Sequence, residues 1–512
     1  TGGIDGGAMT MSSGVPTAVV TVTGAGTWRL NSLTIQAGGT FTADAATITM
    51  DGNWDSSAGT FTFGTSTVVF AASGTLTVAA GSNRGTNSVY NLTANASVTI
   101  TLASDLALNI LNMGTSSTLT GARVVFLNGT TADPLVVGTT VSFGSITDLV
   151  VASSVDFNVP VIDTTNDFLW IESRASAGST TATATGNLAF SGIRIGANGA
   201  GALLVLAANT RTLTAAVSAT TLIGSNSNAR SGALTFSSGT VSVIETIIER
   251  TDSYIQWGSG LHTISGPYTN ATTSASWDAG TGTVTFTSAT GGTMTFAGAN
   301  LAEAEFNNVT FTSSAGTAQT FTMATRGLRW LTTLTVSDTV STTALATADL
   351  ALGAAADAAD VVVGNGGILT ANVSTVLVNG VTMTGGTSGV ITVTTGAWTV
   401  SGNWNTSGAG STYTQGTGIV TFDATATITL LSTDNTFDDL TISAGTSTMA
   451  SAVVVTNTLS VTRTLATADF ALTTGPMVIN NAGILPANAS TIVATTVTMT
   501  GGVSGTITVT TG

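Results

Sequence analysis

Asp438 and Asp439, in "NTFDDLTI", are the one adjacent carboxylate pair in a chain of 512 residues. Two acids held apart, one protonated and one ionised, are what glycosidic bond cleavage requires. The matching position of a sister repeat reads Asn307-Asn308, in "EFNNVTF". An amide cannot exchange a proton in that role. Asp and Asn both shape corners through their short polar side chains, so the pair reads as corner chemistry. Elimination chemistry on a sugar acid would need a base or a clamp. Lys is absent, and the nearest basic cluster is Arg326, Arg329 and Trp330 in "TRGLRW", which reads as a solvated loop. His262, in "GLHTISG", is the only histidine. Nothing like G-x-S-x-G accompanies it, so it reads as a strand-end residue rather than a triad base. For calcium, "GGIDGG" at 2–7 is one imperfect match to a β-roll repeat. Asp349 and Asp469 recur in "LATAD" and read as corner caps. No catalytic, cofactor-binding or metal residue is therefore expected, and loosely bound calcium is the only ion left in consideration.

Composition sets the elements that would have to hold such groups. Charged residues make up 7% of the chain and hydrophobic residues 43%, with a mean hydropathy of +0.43. That balance excludes disorder driven by charge. Gly numbers 60 and Pro 6, and Thr is the commonest residue; Thr and Val suit pleated strands and Gly suits tight corners. The net charge is −15, and all 11 cations are Arg, scattered along the chain. Nucleic-acid binding needs a clustered basic surface, so no nucleic-acid partner is expected. There is no Cys, which rules out disulfides and thiolate metal sites. No run of 18 apolar residues exists, so no membrane-spanning helix is expected.

Internal repetition is the strongest signal. "GILTANVSTVLVNGVTMTGG" at 367–386 matches "GILPANASTIVATTVTMTGG" at 483–502, and "ALATADLAL" at 344–352 matches "TLATADFAL" at 464–472. Weaker copies lie upstream, as in "GNWDSSAGTFTFGTSTVVF" at 52–70. These matches divide the chain into N-terminal repeats at 1–129, a divergent middle at 130–272, a long repeat at 273–401 and its second copy at 402–512. Within each repeat, period-two strings such as V-T-V-T and T-F-T-F are punctuated by Gly, Asn, Asp and Ser. Few Asn-Gly hairpin signals, variable repeat length and scarce Pro favour stacked coils over hairpins. The fold class expected is all-β, an elongated parallel β-solenoid of about 25 coils at ~20 residues each.

The pattern "G-N-W…G-T-G-T-V-T-F…F-N-N-V-T-F" resembles the repetitive parallel β-helix regions of bacterial extracellular proteins, including autotransporter-like passengers and surface adhesins. The resemblance is best over about 273–512. It implies a right-handed coil, export, and an extracellular or cell-surface location. Trp28, Trp54, Trp398 and Trp404 recur at equivalent points and read as structural anchors of the repeat, with a carbohydrate-stacking stripe as the sharper alternative. T-x-T strings recur at Thr47/Thr49, Thr382/Thr384, Thr392/Thr394, Thr498/Thr500 and Thr508/Thr510. Stacked T-x-T on a flat face is similar to ice-binding solenoids. The drifting spacing argues against a regular grid and for Thr as the ordinary outward residue. Sequons include Asn91, Asn95, Asn128, Asn270, Asn308, Asn372 and Asn488, strings that this composition produces by chance.

The closing "TITVTTG" has a twin, "VITVTTG" at 390–396, that runs on into the next coil. The expectation is a non-enzymatic structural protein of an extracellular fibre, filament or surface layer. Self-assembly would run head to tail through Thr506, Ile507, Thr508, Val509 and Thr510, because an uncapped strand edge invites pairing. The alternatives are a stalk of a larger adhesin, a polysaccharide-active β-helix enzyme and an ice-binding solenoid. Cell-surface or matrix polysaccharide is a further possible partner.

Overall fold

The computed structural model describes the chain except residues 1–4, 13–17, 81–84, 154, 161, 174–179, 197–201, 207–211, 216–219, 224–231, 237–239, 244, 249–252, 272–276, 289–291, 297–304, 314–317, 325–327, 339–342, 347–351, 355–358, 373–374, 385–388, 394, 432–435, 502–504 and 510–512. The described chain is all-β, and every strand pairing described below is parallel. It divides into two compact units, Thr1–Gln256 and Trp257–Gly512.

In the first unit one ladder runs Thr27–Ile35, Thr47–Met50, Thr67–Phe70, Asn91–Ala94, Ile110–Met113 and Leu135–Val137. Parallel strands cannot be joined by a hairpin, so each must wait for the chain to travel once around before its partner arrives. Thr47 thus faces Thr67, and Leu111 faces Leu135, each one full turn of the coil later. Alternate residues point inward and stack. Ile48, Val68, Leu92 and Leu111 form one fully buried column. The outward positions on these strands are Thr47, Thr49, Thr67, Val69, Asn91, Thr93, Ile110 and Asn112, so β-branched side chains stand on both faces.

The second unit repeats this scheme on three sides. One ladder passes through Val376–Val378, Ala397–Val400, Ile419–Phe422, Asp439–Ile442, Leu459–Val461, Leu472–Ile479 and Ile492–Met499. A second contains Gly367–Asn372, Val390–Val393 and Thr412–Gln415. A third contains Val381–Met383, Trp404–Thr406, Ala426–Leu430, Thr446–Met449, Thr464–Ala466, Ile484–Pro486 and Thr506–Thr508.

The coil is longer and more variable than the sequence suggests. Leu459 meets Met477 after a short turn, whereas Thr333 meets Asp360 only after a much longer one. The described residues make about 17 turns rather than the 25 expected. Extra residues lie mostly in the connections, and the ladders themselves slip at Thr164/Phe168, Phe306/Asn308 and Thr370/Asn372. Corners need backbone shapes that few residues adopt. Gly280 takes a φ of 61° there, and its N–H donates to Asp278 Oδ1 at 2.9 Å, an Asp-x-Gly corner of the kind the composition anticipates.

Candidate functional site

The inward columns of the second unit lead to its most unusual surface. Val378, Val400, Phe422, Ile442, Val461, Ile479 and Met499 stand one above another in register. Beside them run Val376, Trp398, Val420, Leu440, Leu459, Met477 and Val497 in the same order. Met477 and Ile479 are 1% and 0% exposed, but Val497 and Met499, their partners one coil on, are 51% and 53% exposed. On the adjacent side Leu485 is buried, while Ile507 opposite it is 37% exposed. These residues have the inward phase of the core and no coil over them among the described residues.

The strand Thr506–Thr508 pairs with Ile484–Pro486, and Thr506, Ile507, Thr508 and Val509 are all exposed. Thr510 lies outside the described residues. The sequence points to this strand alone as the assembly edge and misses Val497 and Met499, whose weight is larger. Their signal is present in the apolar alternation of "IVATTVTM", which looks like any inner strand.

The recurrent Trp residues are placed inside. Trp54, Trp398 and Trp404 are buried, and Trp28 is half-buried. Trp404 makes edge contacts with Trp398, Tyr413 and Phe437 at centroid distances of 5.7, 5.0 and 5.6 Å. Trp54 donates its indole N–H to Ser56 Oγ at 3.0 Å. A sugar ring cannot reach a buried indole face, so these three serve as core anchors. Trp28 packs against Phe41 with ring centroids 6.0 Å apart.

The carboxylates are used by the backbone and its neighbours. Asp438 Oδ1 accepts from the Thr456 hydroxyl at 3.1 Å, and Asp439 Oδ1 accepts from the Thr458 N–H at 2.8 Å. Asn307 plays a comparable part, accepting from the Thr332 hydroxyl at 2.9 Å. Both positions tie one coil to the next, which explains why Asp and Asn interchange. Asp469, with a φ of 69°, accepts from the Ala489 N–H at 3.1 Å and so caps a corner. Asp349 lies outside the described residues, as do residues 2–4 of the 2–7 string. Among the described residues no group of three or more His, Asp or Glu could hold a metal ion.

Trp330 is buried and donates to the Asp360 carbonyl at 3.0 Å, so it cannot form a sugar-acid clamp with Arg329. Arg329 instead lies 3.6 Å from Glu305. Burial raises the Glu305 carboxyl above its ordinary range, and the Arg329 charge opposes that rise. Arg326 lies outside the described residues. The sequons at Asn128 and Asn270 are buried.

His262 is buried against Trp257, with ring centroids 5.0 Å apart, and its Nε2 sits 2.7 Å from the Trp257 carbonyl. A carbonyl only accepts, so Nε2 carries the proton. Burial lowers the His262 pKa from 6.5 to about 4, with the carbonyl bond opposing. The folded state therefore favours the neutral ring. Its contribution is complete above pH 6.5 and is lost as pH falls toward 4, a change of about 3 kcal/mol in unfolding free energy. Glu305 acts in the opposite sense, since a raised carboxyl contributes at low pH and loses its effect as pH rises. The clean measurement is the difference in denaturation midpoint between the wild type and His262→Phe. That difference should change between pH 6.5 and 4, whereas equal pH slopes in both proteins would remove His262 from the account.

Comparison with known proteins returns no match: no family model, no curated protein and no solved structure is similar to this chain.

Proposed function

We propose that the chain is a non-enzymatic structural solenoid of an extracellular fibre, filament or surface layer, built head to tail. The carrying observation is the unbroken run of buried apolar columns in register, Val376 to Met477 and Val378 to Ile479, a repeat that a further coil, from a second molecule or from the same polypeptide, would extend over Val497, Met499 and Ile507. A large apolar patch aligned with open strand edges favours a further coil on top of it. A coil supplied by a second molecule would bury these side chains and satisfy the ladder together, the β-augmentation mode of recognition. Contact between two different ends does not close on itself, so it propagates. The extracellular setting rests on the resemblance to surface and adhesin solenoids.

The stalk of a larger cell-surface adhesin is the second reading, and the same column supports it if the covering coil belongs to the same polypeptide. Analytical ultracentrifugation over a wide concentration range tests the first reading. Sedimentation that grows steadily with concentration is expected. A single monomeric species throughout would leave only the stalk.

A further inference from the structure

Within the first unit, the ladder through Ile110–Met113 ends on the strand Leu135–Val137, and no described strand pairs with its other side. The Pro134 carbonyl accepts from the Leu111 N–H at 2.9 Å, and the Gly138 N–H donates to the Met113 carbonyl at 2.8 Å. Bonding sides alternate along a strand, so the N–H and C=O groups of Leu135 and Val137 point away from the ladder. The next coil stops short of them. The Asn158 N–H donates to the Ala132 carbonyl at 2.8 Å, upstream of this strand. Two residues on stands Pro160, which has no N–H to offer and ends that approach.

The result is a cleft of about 840 Å³ between Val137, Gly138 and Ser142 on one wall and Pro160 and Thr185 on the other. A further space of about 320 Å³ adjoins it beside Leu135 and Val136 and reaches Asp133. Two other ladder ends show the contrast. At Thr412–Gln415 the Gln415 side chain bridges to the next coil, accepting from the Asp438 N–H at 3.0 Å and donating to the Gly418 carbonyl. Beside Thr60–Thr62 the space is only about 150 Å³. The edge at Leu135–Val137 has no such bridge, and its cleft falls in the ~300–1,000 Å³ range of ligand sites. The corner that lines it is also strained. Thr140 takes a φ of 56°, a left-handed shape that a β-branched residue adopts only under constraint and that clusters at binding sites.

The chemistry of the cleft identifies its occupant. Main-chain donors and acceptors that repeat at every second residue match the main chain of an extended peptide. Val136, 44% exposed, and Pro160 offer apolar contact. Asp133 stands at the upstream end, where its Oδ1 accepts from the Asn158 amide at 2.9 Å, and no cation neutralises it among the described residues. We propose that this cleft binds an extended polypeptide segment of a partner protein by strand addition. The segment lies parallel to Leu135–Val137, like every other pairing described in the chain. It places β-branched side chains on Val136 and Pro160, and an Arg or Lys near its N-terminal end beside Asp133. The site is on the side of the first unit and does not rest on end-to-end joining.

The test uses the full chain and the peptide acetyl-Arg-Val-Thr-Val-Thr-Val-amide carrying a fluorophore, read by fluorescence anisotropy. Saturable binding is expected. Of the two forms methylated at alternate peptide nitrogens, one should bind at least about tenfold more weakly, through loss of its hydrogen bonds to the edge. Val137→Pro removes an N–H that points into the cleft and none that the ladder uses, so it should weaken binding to a similar degree and still fold. If circular dichroism shows that it does not fold, Asp133→Asn replaces it, and should weaken binding of this peptide but not of one with Ala in place of Arg. Absence of saturable binding to the wild type, undiminished binding of both methylated forms, or undiminished binding by the folded variant would each overturn the proposal. Binding of cellohexaose, a neutral sugar chain, in place of the peptide would overturn it as well.

Discussion

Replacing Trp404 by Ala lowers the unfolding free energy by about 3–5 kcal/mol. Trp404 stands in register between Val381 and Ile428, so its neighbours are fixed by ladders on both sides. It touches Trp398, Tyr413 and Phe437, and none of these can shift inward without breaking a ladder. The cavity therefore stays open, and the loss falls at the high end of what truncating an aromatic residue costs. Trp28→Ala, at a half-buried position, should cost clearly less. Chemical denaturation measures both. If Trp404→Ala behaves like a surface change, within about 0.5 kcal/mol of wild type, the anchoring role assigned to the recurrent Trp is wrong.

The second large effect is on association. Val497→Lys together with Met499→Lys should abolish growth of the sedimenting species and leave the isolated chain as stable as before. Each of these side chains, fully buried, would contribute about 1.5–3 kcal/mol to a joint. A Lys in the same column would instead have to bury a charge without a partner, which costs more than the methylene groups return. Both positions are about half exposed in the free chain, so the substitution has little to disturb there. Persistence of large species in the double variant would assign association to another surface.

The fold class was readable because stacked coils leave a strong trace. Strings such as "GTVTF" and "NNVTF" announce strands whose inward and outward faces are fixed by period two. Coil length was not readable, since residues added at a connection look like any other Thr, Gly and Ser. The short turn from Leu459 to Met477 and the long one from Thr333 to Asp360 emerge only from the register. The corner expected for Asp438 and Asp439 is a tie between coils instead, with Asp439 opening the strand Asp439–Ile442 and Asn307 inside Phe306–Ser313, although the interchange of Asp and Asn was legible from the sister repeat. The burial of Trp330 was not, since "TRGLRW" reads as polar and the strand Arg329–Val336 turns its Trp inward.

Cryo-electron microscopy of the assembled protein, at a resolution that separates strands, tests the central claim most directly. The account predicts continuous parallel ladders across each junction, with a coil of the next molecule seated on Val497, Met499 and Ile507 and paired to the strand Thr506–Thr508. Separate single chains at every concentration, or assemblies joined through a side face with those three residues still open to water, would contradict it.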